Sequence, residues 1–495
     1  MSSPPPPPAR RLVALGAVGA AVAAFVHAGL YLLARRPEIR QLAGDEITYL
    51  EAARRLLVGD PAPPELLWPP LYPRLLAALE AWAARRRPAD IWHMAEVELV
   101  QMALLGVAAV CAGRFAWHLG VGARGALGVA VGVVAFPPLA AFAHYLWPEV
   151  VHLALFFAAL VALAEAGRSP DWPTPTKILR RGVLCLLAGV LLGLALLTKS
   201  LLTGFVPVLL LAVWLEGFYA GGSLEDADSE ASSAVRRGLR AAVAPLVVAV
   251  ALGATVAPTL VANHRATGLW TIADSSSFNL WVGLQDDTRR NHLDDRAWDS
   301  LEAYRAVSPD PRVRRDFARS EVAALLEREG WVAVAWRQLS TQYFRLFHRE
   351  SYLTDQLPSG LLADAGAGYL TAPGPLATAV RLACWGLYAL LLVAAAWGLA
   401  GQRLRVHPTT DPRVVWRWVL VAFLVYNLLL FFGLHVKTRY RVPLLPVLMI
   451  WAAQALEVSP WHAWAARHDP ATRRRLGLGA GFAAVALVLA FGAGW

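Results

Sequence analysis

About eleven stretches of roughly 20 mostly apolar residues recur along this 495-residue chain, and each is long enough to cross a lipid bilayer as a helix. They cover residues 12–34, 92–112, 125–143, 149–166, 182–198, 201–218, 241–262, 377–399, 418–434, 442–457 and 476–494. Because 57% of the residues are hydrophobic and only 17% are charged, the chain has too little polar surface for a soluble globule. The sequence therefore predicts an all-α polytopic membrane protein.

Basic residues fall in alternate connections between these stretches, as at Arg114, Arg124, Arg180 and Arg417. Since cytoplasmic loops carry the excess of Lys and Arg, this pattern predicts a cytoplasmic N-terminus and a multi-pass protein of the plasma (inner) membrane. Topology and attraction to anionic lipid also account for the net charge of +10. No nucleic-acid-binding motif is present, so membrane lipid is the expected partner and nucleic acid is not.

The same topology divides the chain into four parts. Residues 1–11 are a Pro-rich tail that we expect to be disordered in the cytoplasm. Residues 12–262 form an N-terminal transmembrane module, 263–376 a small extracytoplasmic domain, and 377–495 the C-terminal transmembrane helices. Residues 221–238 have the composition of a linker.

The two longest outer segments carry helical patterns of their own. In the first outer loop, 35–91, helices are predicted at 45–58 and 69–84, lying along the membrane interface. Their expected interfacial anchors are Trp68, Tyr72 and Trp82. In the second outer segment a charged helical region is predicted at about 291–348. The aspartate-rich run 284–295 is predicted to be a solvated loop.

Two adjacent carboxylates, Asp45 and Glu46, open the first of these helices. Asp45 follows a glycine and could simply be the helix N-cap. Neighbouring side chains on a helix point about 100° apart, so the two carboxylates cannot serve one atom. We expect one to face the helical bundle and the other to face water or a neighbouring helix.

Other polar residues are predicted at the same side of the membrane, where spans end. Lys199 could be a snorkelling lysine, and Glu149 could be a helix N-terminal acid favoured by the helix dipole. Cations at this surface suit a lipid phosphate, and a nearby carboxylate suits deprotonation of a hydroxyl. The residues of this group are Tyr49, Tyr72, His144, Glu149, Lys199, His264, Arg265, Lys437, Arg439, Tyr440 and Arg441.

"GDEITYLEAARRLLVGD" followed by "WPPLYPRLLAALEA" lies in the first outer loop. "GVLLGLALLTKSLLTGFVP" and "ANHRATGLWTIADSSSFNLWVGLQDD" lie in the middle of the chain, and "KTRYRVPLLPVLMI" lies near its end. Together these segments resemble the integral-membrane glycosyltransferases of GT-C type, specifically the bacterial relatives of protein O-mannosyltransferases and aminoarabinose transferases. They are similar to the first outer loop of that family, to its middle segments and to its late Arg-Tyr-Arg-Leu-Pro motif.

This resemblance implies a GT-C-like fold and inverting transfer of a hexosyl or pentosyl group from a polyprenyl-phosphate donor to a hydroxyl of a glycan, lipid or protein. It implies that Asp45 is the catalytic base and Glu149, with Glu46, a second acidic group. It also implies that the donor phosphate is bound by Lys199, Arg265, Lys437, Arg439, Tyr440 and Arg441. The chain departs from the family at Ala262, where Arg is frequent, and at Lys199-Ser200, where the family has Arg-Pro.

Three other interpretations remain open from the sequence. A transferase that uses a diphosphate-linked oligosaccharide would need Mg²⁺ or Mn²⁺, for which Asp45, Glu46 and Glu149 could supply oxygen ligands; the monophosphate reaction requires no cofactor. A lipid or solute transporter usually carries charges near mid-membrane and repeated halves, and neither is evident here. A scaffold would leave Asp45 as a helix cap.

Overall fold

The computed structural model describes residues 9–34, 45–59, 66–85, 94–167, 174–220, 230–287, 289, 296–358, 374–401, 413–457 and 468–492. Within these ranges the regular secondary structure is helical throughout, with no strand. The predicted disorder of the first eight residues and the predicted loop character of 288 and 290–295 lie outside the described residues.

Ten α-helices lie in the described residues up to 267, and nine α-helices follow them. The first ten are α1 (Ala9–Ala34), α2 (Asp45–Val58), α3 (Leu71–Ala84), α4 (Met94–His118), α5 (Ala123–Ala135), α6 (Pro137–Ala140), α7 (Glu149–Ala166), α8 (Pro175–Thr198), α9 (Val206–Ala220) and α10 (Glu230–Thr267). The others are α11 (Ser275–Gln285), α12 (Arg296–Val307), α13 (Pro311–Glu329), α14 (Trp331–Phe347), α15 (Tyr352–Asp355), α16 (Gly374–Gly401), α17 (Arg413–Gly433), α18 (Leu444–Glu457) and α19 (Pro470–Phe491).

Nine helices among the described residues are long and apolar enough to cross a bilayer. A tenth span is formed if α5 and α6 are taken together, with a bend of 54° where Pro137 interrupts the helix. The eleventh predicted window matches α18, which has 14 residues and is shorter than the roughly 20 needed for a straight crossing. The predicted polytopic all-α fold is confirmed.

Two helix starts differ from the sequence prediction. Helix α1 already begins at Ala9, inside the predicted tail, and α10 begins at Glu230, inside the predicted linker. Residues 231–241 contain several Ala and Arg, which are strong helix formers and extend the apolar span as one helix. At 38 residues, α10 is about 57 Å long and projects beyond the hydrocarbon layer.

Helix α7 lies at the centre of the bundle. It is buried along nearly its whole length and packs against α4 and α8, whereas α1 and α19 present most of their apolar side chains outward. Outward apolar side chains suit a lipid environment, which solvates them as well as a protein core does. Glu149, the first residue of α7, is therefore held by the most enclosed helix of the bundle.

The helices α2, α3 and α11–α15 lie at one end of the bundle, which we call the loop end. Here Gly283 of α11 approaches the chain after α17 so closely that a Cβ atom would clash with the backbone nitrogen of His435. The contact is fixed by His435 N, which donates to the carbonyl of Asn279 at 2.7 Å. Asp286 contacts His435 at 2.8 Å and also pairs with Arg345, so this aspartate of the predicted solvated run is in fact partly buried in an ion-pair network.

Candidate active site

Asp45 and Arg439 form a buried ion pair at the loop end. Asp45 is the first residue of α2, and Arg439 lies in the 3₁₀ turn Thr438–Arg441 that joins α17 to α18. Their side chains are 12% and 7% exposed, so both are nearly shielded from solvent. The carboxylate of Asp45 therefore pairs with a side chain from a distant part of the chain.

The adjacent Glu46 is also buried but faces a different group. Its Oε1 accepts a hydrogen bond of 2.7 Å from the backbone nitrogen of Leu146, in the turn before α7. The two carboxylates therefore point to separate partners, and neither is left to bulk water. Glu46 fixes α2 to the start of α7 while Asp45 faces Arg439.

A second ion pair stands beside the first. Lys199 lies in the single-residue break between α8 and the 3₁₀ segment Ser200–Phe205, and its Nζ donates to Oε1 of Glu149 at 2.8 Å. The same Oε1 lies 4.0 Å from Nε of Arg439, so the two pairs form one cluster. Oε2 of Glu149 is buried and has no hydrogen-bond partner among the described residues. A buried carboxylate oxygen without a partner is costly unless a ligand supplies a donor.

Aromatic rings fix the orientation of Arg439. Its guanidinium lies 4.2 Å from the ring centroid of Trp147 and 5.3 Å from that of Tyr440. Trp147 in turn packs on Tyr352 of α15 at 4.1 Å, and Tyr440 stacks on Phe431 at 5.4 Å. Cation–π contacts of this kind reach about 2 kcal/mol when they are desolvated.

The electrostatics of this cluster keep Asp45 ionised. Burial alone would raise the pKa of Asp45, but the neighbouring Arg439 and Lys437 outweigh burial and hold that pKa below its usual value. Burial and the negative charge of Asp45 raise the pKa of Tyr49 well above its ordinary value, so Tyr49 stays neutral. Burial and the neighbouring Arg439 lower the pKa of Lys437.

A cavity of about 720 Å³ opens next to the two ion pairs. One end is polar and is lined by Tyr49, Glu149, Lys199, Arg439 and Tyr440. The other end is apolar and runs between the spans of α8, α10 and α17, where its wall includes Leu196, Leu252, Val256, Leu260, Leu430 and Phe431. We call this the first cavity. Asp45 does not line it, whereas its partner Arg439 does.

Three predicted phosphate-binding residues lie off the wall of the first cavity. Arg441 donates to the backbone carbonyls of His348 and Glu350 and covers the ring of Tyr388, so it fixes the connection after α14. Arg265 is exposed at the end of α10. Lys437 is close enough to influence Asp45 electrostatically but does not reach the cavity wall.

The remaining pocket candidates also have other surroundings. Tyr72 is buried and donates to Gln101 at 3.0 Å, so it is not an interfacial anchor. His144 contacts His27 at 3.0 Å inside the bundle, and His264 stacks on Trp270 at 4.2 Å. Of the four predicted pocket candidates, the first cavity is lined only by Tyr49.

Gln101 and Trp147 were not predicted from the sequence. Gln101 donates to the carbonyls of Ala143 and Tyr145 at 3.2 and 2.7 Å, and so holds the turn that supports Glu46 and Trp147. A glutamine in the middle of an apolar span is a recognisable signal, because polar side chains inside a membrane need partners. Trp147 carries no comparable signal, since tryptophan is common at membrane interfaces.

The carboxylates do not converge as metal ligands. Asp45, Glu46 and Glu149 are directed to Arg439, Leu146 N and Lys199. Among the residues that the structure describes, no three His, Cys, Asp or Glu side chains come together in a way that could hold a metal ion. These residues do not fit a Mg²⁺ or Mn²⁺ site in the arrangement observed.

No protein-family model and no curated protein sequence matches this chain. The solved structure of the oligosaccharyltransferase from Archaeoglobus fulgidus in its apo form matches 97% of this chain and 54% of its own length, with a TM-score of 0.50 and 15% identity. The fold is therefore of the GT-C type.

Two other structures from the same organism are similar. The oligosaccharyltransferase AglB in complex with an inhibitory peptide and a dolichol-phosphate matches 96% of this chain and 54% of its own, with a TM-score of 0.43 and 11% identity. The enzyme tethered to an acceptor peptide containing the NVT sequon gives the same coverage, a TM-score of 0.45 and 13% identity. The chain spans about half the length of the oligosaccharyltransferases it matches.

Proposed function

We propose that this protein is a membrane glycosyltransferase that moves a sugar from a polyprenyl-phosphate donor to an acceptor hydroxyl at the extracytoplasmic side of the plasma membrane. The observation that carries the proposal is the first cavity, which joins a cationic end to an apolar groove between spans. Such a shape matches a lipid with a charged headgroup. The GT-C fold and the resemblance of the outer loops to protein O-mannosyltransferase and aminoarabinose transferase relatives support it.

The two ends of the cavity would hold the two ends of the donor. Lys199 and Arg439 are the Lys and Arg residues on the described part of its wall, and charge-assisted hydrogen bonds from them would bind the donor phosphate. Leu252, Val256 and Leu260 are four residues apart on α10, so they form one continuous apolar face for the polyprenyl chain. The sugar would then lie next to Glu149, whose free Oε2 can accept a hydroxyl proton in a hydrogen bond.

Asp45 is the proposed base. When the donor phosphate draws Arg439 toward it, the Asp45–Arg439 pair loosens and the carboxylate can accept a proton from the acceptor hydroxyl. The acceptor oxygen attacks the anomeric carbon opposite the phosphate, forming the new glycosidic bond as the carbon–phosphate-oxygen bond breaks. The phosphate leaves with the electron pair, and Lys199 and Arg439 stabilise its charge. The configuration at the anomeric carbon is inverted.

The proposed steps need no metal ion, because Lys199 and Arg439 are placed to stabilise the leaving phosphate. A monophosphate donor releases a phosphate that two cations can stabilise. A diphosphate-linked oligosaccharide remains the second candidate, because the matched fold is that of oligosaccharyltransferases. Chelation with EDTA separates them: transfer from a monophosphate donor should persist, whereas a metal-dependent diphosphate transferase would stop.

The test is transfer of radiolabelled sugar in membranes that contain this protein. Membranes without it are the control, and the panel should include polyprenyl-monophosphate and polyprenyl-diphosphate donors with several hexoses and pentoses. Transfer from a monophosphate donor supports the proposal and labels the acceptor for identification. Transfer from a diphosphate donor alone favours the second candidate, and no transfer from any donor contradicts both.

Gly253 offers a test of the lipid groove. A side chain at this position would meet no atom within 4 Å, and the residue lines the first cavity, so Gly253→Leu should fill the groove without a clash. We expect the KM for a long polyprenyl donor to rise about tenfold, because displacing about two buried methylene groups loses about 1.6 kcal/mol. The KM for a short-chain donor should stay nearly constant.

The matched control for the groove is Gly386→Leu, a glycine of the α16 span that also has open space around it and does not line the first cavity. It should leave both KM values unchanged. An equal rise for long and short donors in Gly253→Leu would show that the groove does not hold the chain.

Trp147 should act as a positioning residue for Arg439. Removing its ring in Trp147→Leu is expected to lower kcat about tenfold or more, because the guanidinium loses the surface that orients it. Trp147→Phe keeps an aromatic face and should restore part of the rate. The measurement is kcat for the three proteins at equal amounts of folded enzyme, judged by thermal unfolding. Equal losses in both variants would indicate a packing role only.

A further inference from the structure

A second cavity of about 360 Å³ lies on the other side of α2. Tyr49 lines the first cavity, whereas Thr48, Glu51, Ala52 and Arg55 of the same helix line the second. Trp68 and Ile272 line both, so they form a partition between the two spaces. The second cavity is within the size range of small-molecule sites.

Asp45 lines neither cavity, but it lies one helical turn from residues of α2 that line each of them. Residues three and four positions apart on a helix are neighbours, so Asp45 is adjacent both to Thr48, on the side of the second cavity, and to Tyr49, on the side of the first. Thr48 is also linked directly to Asp45, because its Oγ1 donates to the backbone carbonyl of Asp45 at 2.8 Å. A base at this position can serve a hydroxyl that enters from the second cavity.

The described wall of the second cavity is positively charged. Arg55, Arg74 and Arg305 contribute three cations, and Glu51 is the single carboxylate in that part of the wall. Nε1 of Trp68 is buried and donates to no partner among the described residues, and it belongs to the partition. An N–H donor without a partner, together with three guanidinium groups, suits a ligand with negatively charged oxygen atoms.

The opposite wall is fixed by Asn263 at the end of α10. Its Nδ2 donates to the carbonyls of Thr271 and Ile272 at 2.8 and 3.2 Å, which holds the chain against α10. Asn263 is 6% exposed, so this support is internal to the protein. The second cavity is therefore bounded by α2, by the segment before α3 and by Ile272, which Asn263 holds against the end of α10.

We propose that the second cavity binds the acceptor and that this acceptor carries a phosphate or carboxylate group near the hydroxyl that is glycosylated. That the bound molecule is the acceptor rests on the proposed function, but the preference of the second cavity for a negatively charged ligand does not depend on it. The acidic group could belong to a lipid-linked sugar or to a soluble one. Guanidinium groups recognise the acidic oxygens in either case.

The test compares acidic and neutral ligands of equal size on full-length protein in nanodiscs of phosphatidylcholine. Native mass spectrometry would measure binding of octyl glucuronide and octyl glucoside to the wild type, to Arg74→Gln/Arg305→Gln and to Arg319→Gln. Arg319 is an exposed arginine of α13 that does not line the second cavity, so it is the matched control. Free glucuronate is included to separate a soluble acceptor from a lipid-linked one.

We expect the wild type and Arg319→Gln to bind octyl glucuronide at least about tenfold more tightly than octyl glucoside, and the double variant to lose that preference. Binding of glucuronate itself would point to a soluble acceptor, and binding of the octyl compound alone to a lipid-linked one. Equal binding of the two octyl compounds by the wild type, or an unchanged preference in the double variant, would overturn the inference.

Undecaprenyl phosphate, added in parallel, distinguishes failure of the inference from failure of the proposed function. The double variant should bind it as the wild type does, since Arg74 and Arg305 do not line the first cavity. If the wild type does not bind undecaprenyl phosphate, the proposed donor is wrong whatever the glucuronide result. If it binds undecaprenyl phosphate but shows no charge preference, only the inference about the second cavity fails.

Discussion

Asp45→Asn is expected to reduce sugar transfer by about 10²–10⁴-fold, because an amide cannot accept the proton of the acceptor hydroxyl. The substitution keeps the size of the side chain and one oxygen that Arg439 can still contact. Donor binding should therefore persist while transfer is lost. The measurement is transfer of labelled sugar at saturating donor, together with binding of undecaprenyl phosphate, in the same membranes.

Glu46→Gln is the matched control for Asp45→Asn. It neutralises the adjacent carboxylate, but the amide oxygen can still accept the hydrogen bond from Leu146 N. Transfer should remain close to that of the wild type. Should Asp45→Asn retain full transfer, Asp45 would be a structural residue, as the helix-cap interpretation requires.

Arg439→Gln is expected to weaken binding of undecaprenyl phosphate by about 10–100-fold, because a hydrogen bond to a charged group is worth about 1.5–3 kcal/mol. It should also change the pH profile of the remaining transfer. In the wild type Arg439 helps to hold the pKa of Asp45 below its usual value, so Asp45 stays deprotonated well into the acidic range. Without Arg439 that pKa rises, and transfer should be lost at a higher pH as the medium is acidified.

Arg441→Gln is the control for Arg439→Gln, since it lies two residues away and binds backbone carbonyls outside the first cavity. It should leave both donor affinity and the acidic limb unchanged. Breaking a buried ion pair destabilises a protein by about 3–5 kcal/mol, so each variant must be compared at equal amounts of folded protein. If the acidic limb of the pH profile were unchanged in folded Arg439→Gln, Arg439 would not set the pKa of the catalytic base, and the proposed link between Arg439 and Asp45 would be wrong.

The helical bundle was predictable from the sequence because the bilayer imposes a minimum length on each span. The windows that begin at 149 and 377 match α7 and α16 within a few residues. The acidic start of α2 at Asp45 was also predictable, since Asp and Glu favour the first turn of a helix. These features depend on composition and periodicity, which a single sequence contains.

The partners within the site were harder to predict because they depend on local backbone direction. Lys437, Arg439 and Arg441 are alternate residues, and the sequence assigned all three to the donor phosphate. In a 3₁₀ turn, with about three residues per turn, alternate side chains point in different directions. Arg439 faces the first cavity and Arg441 faces the carbonyls after α14. Asp286 was predicted to be solvated, and its burial could not be foreseen because its partners, Arg345 and His435, are distant in sequence.

The Asp45–Arg439 pair joins residues that are 394 positions apart, and this separation has a consequence for biosynthesis. A nascent chain exposes Asp45 at the membrane surface long before the ribosome has made Arg439. The proposed catalytic centre therefore cannot be complete until α17 and the turn after it are in place, although the contacts of Glu46 with Leu146 and of Lys199 with Glu149 join earlier parts of the chain. A protein interrupted before that point would hold many of its spans and none of the proposed activity.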